Sequence, residues 1–369
     1  MKSSSNLYLS RLDHLRFLAA FMVLVWHGVH TIIPPSYRIP HLLFPLSLLE
    51  EGHTGVALFM VLSGYIFMTI CQDRELVYGD FLRNRLLRIA PLFVFWLSLQ
   101  LWIHPSADPL AILCSLLTMT SRSGEMPGVG WTILVEFQFY LLFPFILHFY
   151  RGRGLAYLFQ LLGFFIALRV VLAVVGYNIQ HVAYWSLFGR MDQFLLGMIF
   201  AHLARFHSQR FQSTRSLLAV ILAWMILYHL FNYLGGYSNL QAKWLWVIIP
   251  TAEGAFYAAI TAYWLHVPVS LPKWLDEGLA WLGKLSFSFY LNHILINGAC
   301  IIVARNMGLA PTSFLTGLLF LSVVVLPVLV AFSALTYHLI EEPFLQMRRA
   351  YVQTPPSAQP VTTEHRRAA

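Results

Sequence analysis

Hydrophobic residues fill ten long stretches of this chain, and polar residues gather in the short segments between them. A run of about 20 apolar residues is long enough to cross the roughly 30 Å hydrocarbon core of a bilayer as a helix. The pattern therefore predicts an all-α polytopic membrane protein, with about ten transmembrane helices in one bundle. The predicted helices cover residues 12–33, 53–71, 86–104, 131–150, 155–175, 187–204, 216–234, 244–265, 279–302 and 312–340.

The positive charges predict the orientation of this bundle. Sixteen of the 24 Lys and Arg residues fall in the two termini and in the alternate loops on the same side, whereas five fall in the opposite loops. Because loops rich in Lys and Arg stay in the cytoplasm, both termini are predicted to be cytoplasmic (N-in, C-in). Residues 1–349 form the predicted membrane domain, and residues 350–369, rich in Pro, Thr and Ala, form a predicted disordered cytoplasmic tail.

Composition excludes several other classes of protein. The 369 residues are 58% hydrophobic and 11% charged, whereas about 25% charged is usual for a soluble domain. The net charge of +8 comes from the loops rather than from one basic polar face, so nucleic-acid binding is not predicted. The three cysteines, Cys71, Cys114 and Cys300, are far apart in the sequence, so we expect neither a disulfide framework nor a metal site.

Two polar residues share one face of the first predicted helix. Arg16 and His27 are eleven residues apart, and eleven steps of 100° return to within about 20° of the starting direction, about 16.5 Å further along the axis. Charge in or beside hydrocarbon is costly, so such residues are candidates for a functional site. The arrangement predicts a site that is entered from one side of the membrane.

A histidine and carboxylates are predicted to lie at one depth. His27, Glu136 and Asp192 are each five or six residues from the predicted outer ends of their helices, or roughly 8–9 Å deep at 1.5 Å per residue. His293 lies a little deeper. A carboxylate that orients an imidazole makes it an effective general base for a hydroxyl proton. This layer therefore suggests acyl transfer to an alcohol.

Three arginines lie near the start of the third predicted helix, in the sequence FLRNRLLRIAPLF. Arg85 and Arg88 are three residues apart, so they project from the same side of a helix, and Arg83 is close by. Guanidinium groups suit phosphate oxygens because they donate paired hydrogen bonds. Glu341 and Glu342, which close the last helix, are placed to orient this cluster.

Seven motifs occur in order along the ten stretches. They are RLDHLRFLAAFMVLVWH, GHTGVALFMVLSGYIF, FLRNRLLRIAP, WTILVEFQFYLLFP, GRMDQFLLGM, LGKLSFSFYLNH and IEEPF. Together they resemble the acyltransferase 3 family, integral membrane O-acyltransferases that modify bacterial surface glycans and other acceptors. Because the chain ends soon after the last helix, we expect it to resemble the stand-alone members, which have no fused esterase-like domain.

The resemblance implies an activity and roles for individual residues. The expected activity is O-acyl transfer, most simply O-acetyl transfer, in the bacterial inner membrane. Acetyl-CoA or another acyl-CoA is the expected donor substrate, rather than a permanently bound cofactor, and a glycan or lipid-linked saccharide is the expected acceptor. The resemblance implies His27 as the base, with Arg16 and Glu136 beside it, and Arg85, Arg88 and Arg16 for the donor. To these we add, from their positions in the sequence, Asp192 as a further catalytic residue, Arg83 for the donor, and Tyr290, Asn292 and His293 for the acceptor.

Several of these residues also have plainer interpretations. His27 or His293 can be a core histidine that bonds a neighbouring helix, and Asp192 can pair with Arg190 or Arg169. The arginines at the third helix can be anchors that reach the lipid headgroups. Membrane-embedded His, Glu and Asp residues are also typical of proton-coupled secondary transporters or exporters, and this is the alternative function. A membrane scaffold with a lapsed site is a third possibility.

Overall fold

The apolar stretches form helices in the computed structural model, which describes residues 9–32, 44–103, 108–118, 126–239 and 242–353. Nine helical segments of this part of the chain are long and apolar enough to cross a membrane. The protein is therefore an all-α multi-pass membrane protein. The α-helices are α1 Ser10–Ile32, α2 Ser47–Glu50, α3 Gly55–Cys71, α4 Tyr78–Ile103, α5 Pro109–Thr118, α6 Gly130–Arg153, α7 Leu155–Val175, α8 Ile179–Trp185, α9 Leu187–Phe206, α10 Thr214–Tyr233, α11 Lys243–His266, α12 Lys273–Lys284, α13 Ser286–Asn306, α14 Phe314–Phe320, α15 Leu326–Thr336 and α16 Glu342–Gln346.

The last three helices form one continuous rod. Two π-helical turns, Leu321–Val325 and Tyr337–Glu341, join α14, α15 and α16, and the combined helix covers Phe314–Gln346. A π-helical turn inserts one extra residue per turn and redirects the side chains beside it. The second of these turns carries Glu341, which is 1% exposed.

Helix α9 corresponds to the sixth predicted stretch, 187–204, and it is not one of the nine spanning segments. It is 20 residues long and lies in the centre of the bundle, with most of its side chains buried. Its charged residues pair with neighbouring helices, since Asp192 lies 2.6 Å from Arg169 and Arg190 lies 3.5 Å from Glu253. Intramembrane charges usually find partners inside a bundle in this way.

Helices α3 and α9 pack closely against each other at the centre of the bundle. A Cβ atom at Gly64 would overlap the carbonyl oxygen of Phe194, and one at Gly197 would overlap the carbonyl oxygen of Val61. The two backbones therefore approach as closely as glycine allows, which is common between membrane helices. Helix α1 packs beside this pair, against α3, α12 and α13.

The ninth predicted stretch, 279–302, is divided in the structure. Amphipathic helix α12 ends at Lys284, and α13 begins at Ser286. Helix α12 packs on the start of α1, where the Nε2 atom of His14 lies 3.4 Å from a carboxylate oxygen of Asp276. The prediction joined the end of α12 to α13 because Ala280, Trp281 and Leu282 continue the apolar run.

Several helix ends meet at one end of the bundle, which we call the basic end. There Arg11 donates a hydrogen bond to the carbonyl oxygen of Val267 (2.8 Å), Arg151 donates one to that of Cys71 (2.9 Å), and Arg205 lies 2.5 Å from Asp73. Strand β1 (Glu75–Leu76) also pairs antiparallel with strand β2 (Val352–Gln353) at this end. The described structure thus includes the first residues of the predicted tail, and residues 354–369 lie outside the described residues.

Candidate active site

Two neighbouring cavities contain most of the predicted site residues. The first is lined by arginines and a carboxylate, Arg16, Arg85, Arg88 and Glu136, together with apolar side chains of α3. The second is lined by His27 and by a ring of aromatic side chains: Trp26, Trp131, Tyr184, Trp185 and Tyr237. Val56 and Tyr290 line both cavities and so form the partition between them.

Arg88 is held by the second π-helical turn of the rod. Helix α4 begins at Tyr78, earlier than predicted, so Arg88 lies within its third turn. Its guanidinium is 2.5 Å from Glu341, and Glu341 also accepts a hydrogen bond of 2.9 Å from Ser288. Glu341 thus contacts one arginine of the predicted cluster, Arg88, whereas Glu342 lies 2.7 Å from His338 instead.

Arg85 is held by aromatic rings. Its guanidinium carbon lies 5.0 Å from the ring centre of Phe67, 5.6 Å from that of Phe81, 5.9 Å from that of Tyr140 and 5.7 Å from that of Tyr351. Cation–π contacts hold a guanidinium without neutralising its charge. Its Nε atom is buried and has no hydrogen-bond partner among the described residues. Arg85 therefore keeps the capacity to bind an anion.

The other two arginines predicted for the donor differ in position. Arg16 lines the first cavity, where its guanidinium lies 2.6 Å from Asp13, one turn earlier on α1. Arg83 does not line that cavity. It donates a hydrogen bond of 2.8 Å to the carbonyl oxygen of Met347, so it holds the chain after α16.

Neither predicted carboxylate forms a hydrogen bond with His27. Glu136 lies on the wall of the first cavity, where it accepts hydrogen bonds from Ser63 (3.0 Å) and from the Tyr140 hydroxyl. Asp192 is fully buried and accepts bonds from Arg169 (2.6 Å) and the Thr251 hydroxyl. The expected His27–carboxylate pair is therefore not formed in the structure, because both carboxylates have other hydrogen-bond partners.

A second histidine takes the position that we predicted for a carboxylate. The Nδ1 atom of His27 lies 3.1 Å from the carbonyl oxygen of Val23 and 3.0 Å from the Nε2 atom of His293. The Nδ1 atom of His293 lies 2.5 Å from the carbonyl oxygen of Tyr290. A carbonyl oxygen only accepts, so His293 carries its proton on Nδ1 and accepts at Nε2, and His27 donates from Nδ1.

This hydrogen-bond chain determines which nitrogen of His27 can act as a base. With its proton on Nδ1, the imidazole has its lone pair on Nε2. His27 lines the second cavity, and no described residue forms a hydrogen bond with Nε2. The arrangement leaves an oriented lone pair at the wall of that cavity, which is what a general base requires.

The three residues predicted to contact the acceptor separate into two groups. Tyr290 lines both cavities, and its hydroxyl accepts a hydrogen bond of 3.1 Å from Thr132. Asn292 and His293 are 0% and 1% exposed and line neither cavity. Asn292 donates instead to the hydroxyl of Thr336, at 3.0 Å, and so joins α13 to α15.

A carboxylate outside the spanning segments supports the wall of the second cavity. Glu51 accepts a hydrogen bond of 3.2 Å from the backbone N–H of Tyr237 and one of 3.0 Å from Asn232, and His53 lies 3.2 Å away. Burial disfavours the charged form of Glu51, but the close contact with His53 and the hydrogen bonds from Asn232 and Tyr237 outweigh it and lower the pKa of the carboxyl group. The anion thus fixes the loop that presents the Tyr237 ring.

Sequence reasoning missed two groups of residues at the site. Tyr140 follows Glu136 by one helical turn, a spacing at which side chains meet, and Ser63 belongs to a quoted motif, so both had a local signal. The aromatic wall had no local signal, since its members come from α1, α6, α8 and the segment after α10.

Comparisons with known proteins give a consistent result. The sequence model of a family described as an acyltransferase domain matches residues 9–336. O-acetyltransferase OatA of Staphylococcus aureus is 24% identical over 334 residues, which cover 79% of this chain and 51% of OatA. Exopolysaccharide production protein ExoZ of Rhizobium meliloti is 30% identical over 142 residues, which cover 34% of this chain and 43% of ExoZ. The chain thus spans about half the length, or less, of these relatives. No solved structure matches the chain.

Proposed function

Since the chain belongs to the acyltransferase family whose model spans residues 9–336, we propose that it is a membrane O-acyltransferase that uses acyl-CoA. The simplest donor is acetyl-CoA, and the proposed acceptor is a hydroxyl of a glycan or lipid-linked saccharide. The observation that carries this proposal is the pair of cavities that meet at Tyr290, with arginines lining one and His27 lining the other.

The first cavity is the proposed donor site. The phosphates of acyl-CoA would bind Arg85 and Arg88, whose guanidinium groups line the cavity. The pantetheine arm would extend past Glu136, whose carboxylate can accept a hydrogen bond from an amide N–H of the arm. It has to reach the depth of His27, which is about 16.5 Å beyond Arg16 along α1.

The second cavity is the proposed acceptor site. Aromatic side chains with polar edges line it, and such rings suit a ligand that has both apolar faces and hydroxyl groups. The name of OatA supports transfer of an acetyl group to oxygen, and that of ExoZ supports a polysaccharide acceptor. With the basic end in the cytoplasm of a bacterial inner membrane, as the charge pattern predicts, donor and acceptor would approach from opposite sides.

The chemistry then needs one base and one displacement. Nε2 of His27 removes the proton of the acceptor hydroxyl as its oxygen attacks the thioester carbonyl carbon. The tetrahedral intermediate breaks its C–S bond, the acyl group stays on the acceptor oxygen, and the thiolate takes a proton from the His27 imidazolium. His293 stabilises that imidazolium by accepting a hydrogen bond from Nδ1.

The alternative function, a proton-coupled carrier, needs carboxylates that gain and lose protons within the membrane. Asp192 and Glu253 are instead paired with arginines or bonded by neighbouring side chains. The acyltransferase is therefore the function that the arrangement favours.

The test is transfer of a labelled acetyl group by the purified protein in detergent. Wild-type protein with radiolabelled acetyl-CoA and surface polysaccharide should move the label to the polysaccharide, and His27→Ala should reduce this transfer at least a hundredfold. His266→Ala is the matched control, because His266 also bonds the carbonyl oxygen four residues earlier on its helix but lies at the end of α11, away from both cavities. A fully active His27→Ala variant would refute the proposed mechanism.

A further inference from the structure

The chain after α16 is held against α4 by its backbone. Arg83 donates to the carbonyl oxygen of Met347 (2.8 Å), and the Asn84 side chain bonds both the N–H (3.0 Å) and the carbonyl oxygen (2.6 Å) of Arg349. Further along, the N–H of Val77 donates to the carbonyl oxygen of Tyr351 at 2.9 Å. We call residues 347–353 the C-terminal strap.

Arg348 lies between two of these backbone anchors. Its neighbours Met347 and Arg349 are exposed, whereas Arg348 is partly buried and its Nε atom is buried without a hydrogen-bond partner among the described residues. Burial and the nearby positive charges of Arg88 and Arg85 lower the pKa of Arg348 to about 9. Arg348 is therefore still a cation at neutral pH, in surroundings that would be stabilised by an added negative charge.

The strap brings the Arg348 guanidinium near enough to Arg85 and Arg88 for their charges to act on it, although Arg348 does not itself line the first cavity. Arg85 and Arg88 line that cavity, and the Tyr351 ring of the strap packs over Arg85. Arg88 forms an ion pair with Glu341, whereas neither Arg85 nor Arg348 forms an ion pair with another described residue. Because like charges held together are costly without a counter-ion, this excess of positive charge favours a bound anion.

The strap also fixes the position of Arg348 relative to the other two arginines. Its anchors, Arg83 and Asn84, precede Arg85 and Arg88 on α4 by one to five residues, so they lie within about one turn of them, nearer the start of the helix. A ligand phosphate that bonded Arg85 and Arg88 from the basic end would meet Arg348 on the strap.

We infer that Arg348 is a third phosphate-binding residue of the acyl-CoA site, and that the C-terminal strap extends this site beyond the first cavity, beside the start of α4. This inference rests on the proposed function. Arg348 lies beyond residues 9–336, the part of the chain that the family model matches, so the family match does not extend to it. A phosphate of a lipid headgroup offers the same chemistry, and the experiment separates the two sources.

Binding of coenzyme A to the full-length protein in detergent, measured by calorimetry, tests the inference. Arg348→Gln should raise the Kd for coenzyme A about tenfold, the usual effect of losing one hydrogen bond to a charged group. Arg348→Lys, which keeps the charge but loses the paired hydrogen bonds, should give a smaller increase. Arg349→Gln is the matched control and should leave the Kd unchanged, because its backbone is anchored but its side chain is exposed.

Pantetheine, which has no phosphate, separates a loss of phosphate binding from a general distortion of the donor site. All four proteins should bind pantetheine equally, and an equal loss of coenzyme A and pantetheine binding in Arg348→Gln would overturn the inference. Unchanged coenzyme A binding in Arg348→Gln would overturn it too. If vesicles of phosphatidylglycerol stabilise the wild type but not Arg348→Gln, while coenzyme A binds both equally, the ligand of Arg348 is a lipid and the inference is wrong. Wild-type protein that binds no coenzyme A would refute the proposed function itself.

Discussion

The hydrogen bond from His27 to His293 gives a prediction with a definite size. Replacing His293 by Leu removes the acceptor 3.0 Å from Nδ1 of His27. The side chain is 1% exposed and lines neither cavity, so the change does not touch bound donor or acceptor. Its effect should therefore fall on kcat, with the KM for acetyl-CoA unchanged.

The magnitude follows from the charge on His27 during the reaction. In the transition state the imidazole becomes a cation, and a hydrogen bond to a charged group contributes about 1.5–3 kcal/mol. At about 1.4 kcal/mol per tenfold change in rate, kcat should fall roughly tenfold to a hundredfold. The bond from Nδ1 to the carbonyl oxygen of Val23 remains, so the loss should be smaller than that for His27→Ala.

The assay is the initial rate of coenzyme A release from acetyl-CoA in the presence of surface polysaccharide. His293→Gln serves as the conservative variant, because its amide can accept from His27 and donate to the Tyr290 carbonyl oxygen, and it should recover much of the rate. A His293→Leu enzyme with wild-type kcat, or one in which KM alone rises, would refute the assigned role of His293.

Three further predictions concern the cavity walls. Glu341→Gln should lower the free energy of unfolding by about 3 kcal/mol, because it leaves Arg88 without its partner, and thermal unfolding in detergent will measure this loss. Tyr290→Ala should increase hydrolysis of acetyl-CoA several-fold in the absence of acceptor, because the partition that keeps water from the thioester is removed. The pKa of Glu51 is lower in the folded protein than its usual value of 4.5, so its contribution to stability is present above that value and is lost as pH falls below it. Glu51→Gln should accordingly show a smaller fall in melting temperature between about pH 5 and pH 3 than the wild type.

The sequence predicted the helices well because hydropathy depends on local composition. Helix α9, which is not one of the nine spanning segments, was also predicted, since its apolar residues outnumber Arg190 and Asp192. The division between α12 and α13 was missed. The amphipathic helix is followed directly by the spanning helix, so their apolar residues form one continuous run in the sequence. Only the packing of α12 on α1 distinguishes them.

The site was predicted in part, and the limit is physical. Arg85 and Arg88 are on one helix, so their shared direction followed from helical spacing, and both line the first cavity. The partner of His27 is 266 residues away on α13, and no local spacing connects the two. Depth along each helix placed Glu136 near His27, but depth carries no information about which way a helix faces. Asp192 pairs with Arg169 rather than with Arg190 because α7 packs against α9, and local sequence does not reveal this tertiary contact.

The central claim is that a donor bound at the arginines of the first cavity reaches His27 past Tyr290. The most direct measurement is a cryo-EM structure of the protein with a non-hydrolysable acetyl-CoA analogue. Our account predicts phosphates on Arg85 and Arg88 and the acyl carbonyl carbon roughly 5 Å from Nε2 of His27, which leaves room for one acceptor hydroxyl between them. An analogue bound elsewhere, or one whose acyl group stays in the first cavity on the far side of Tyr290 from His27, would contradict it.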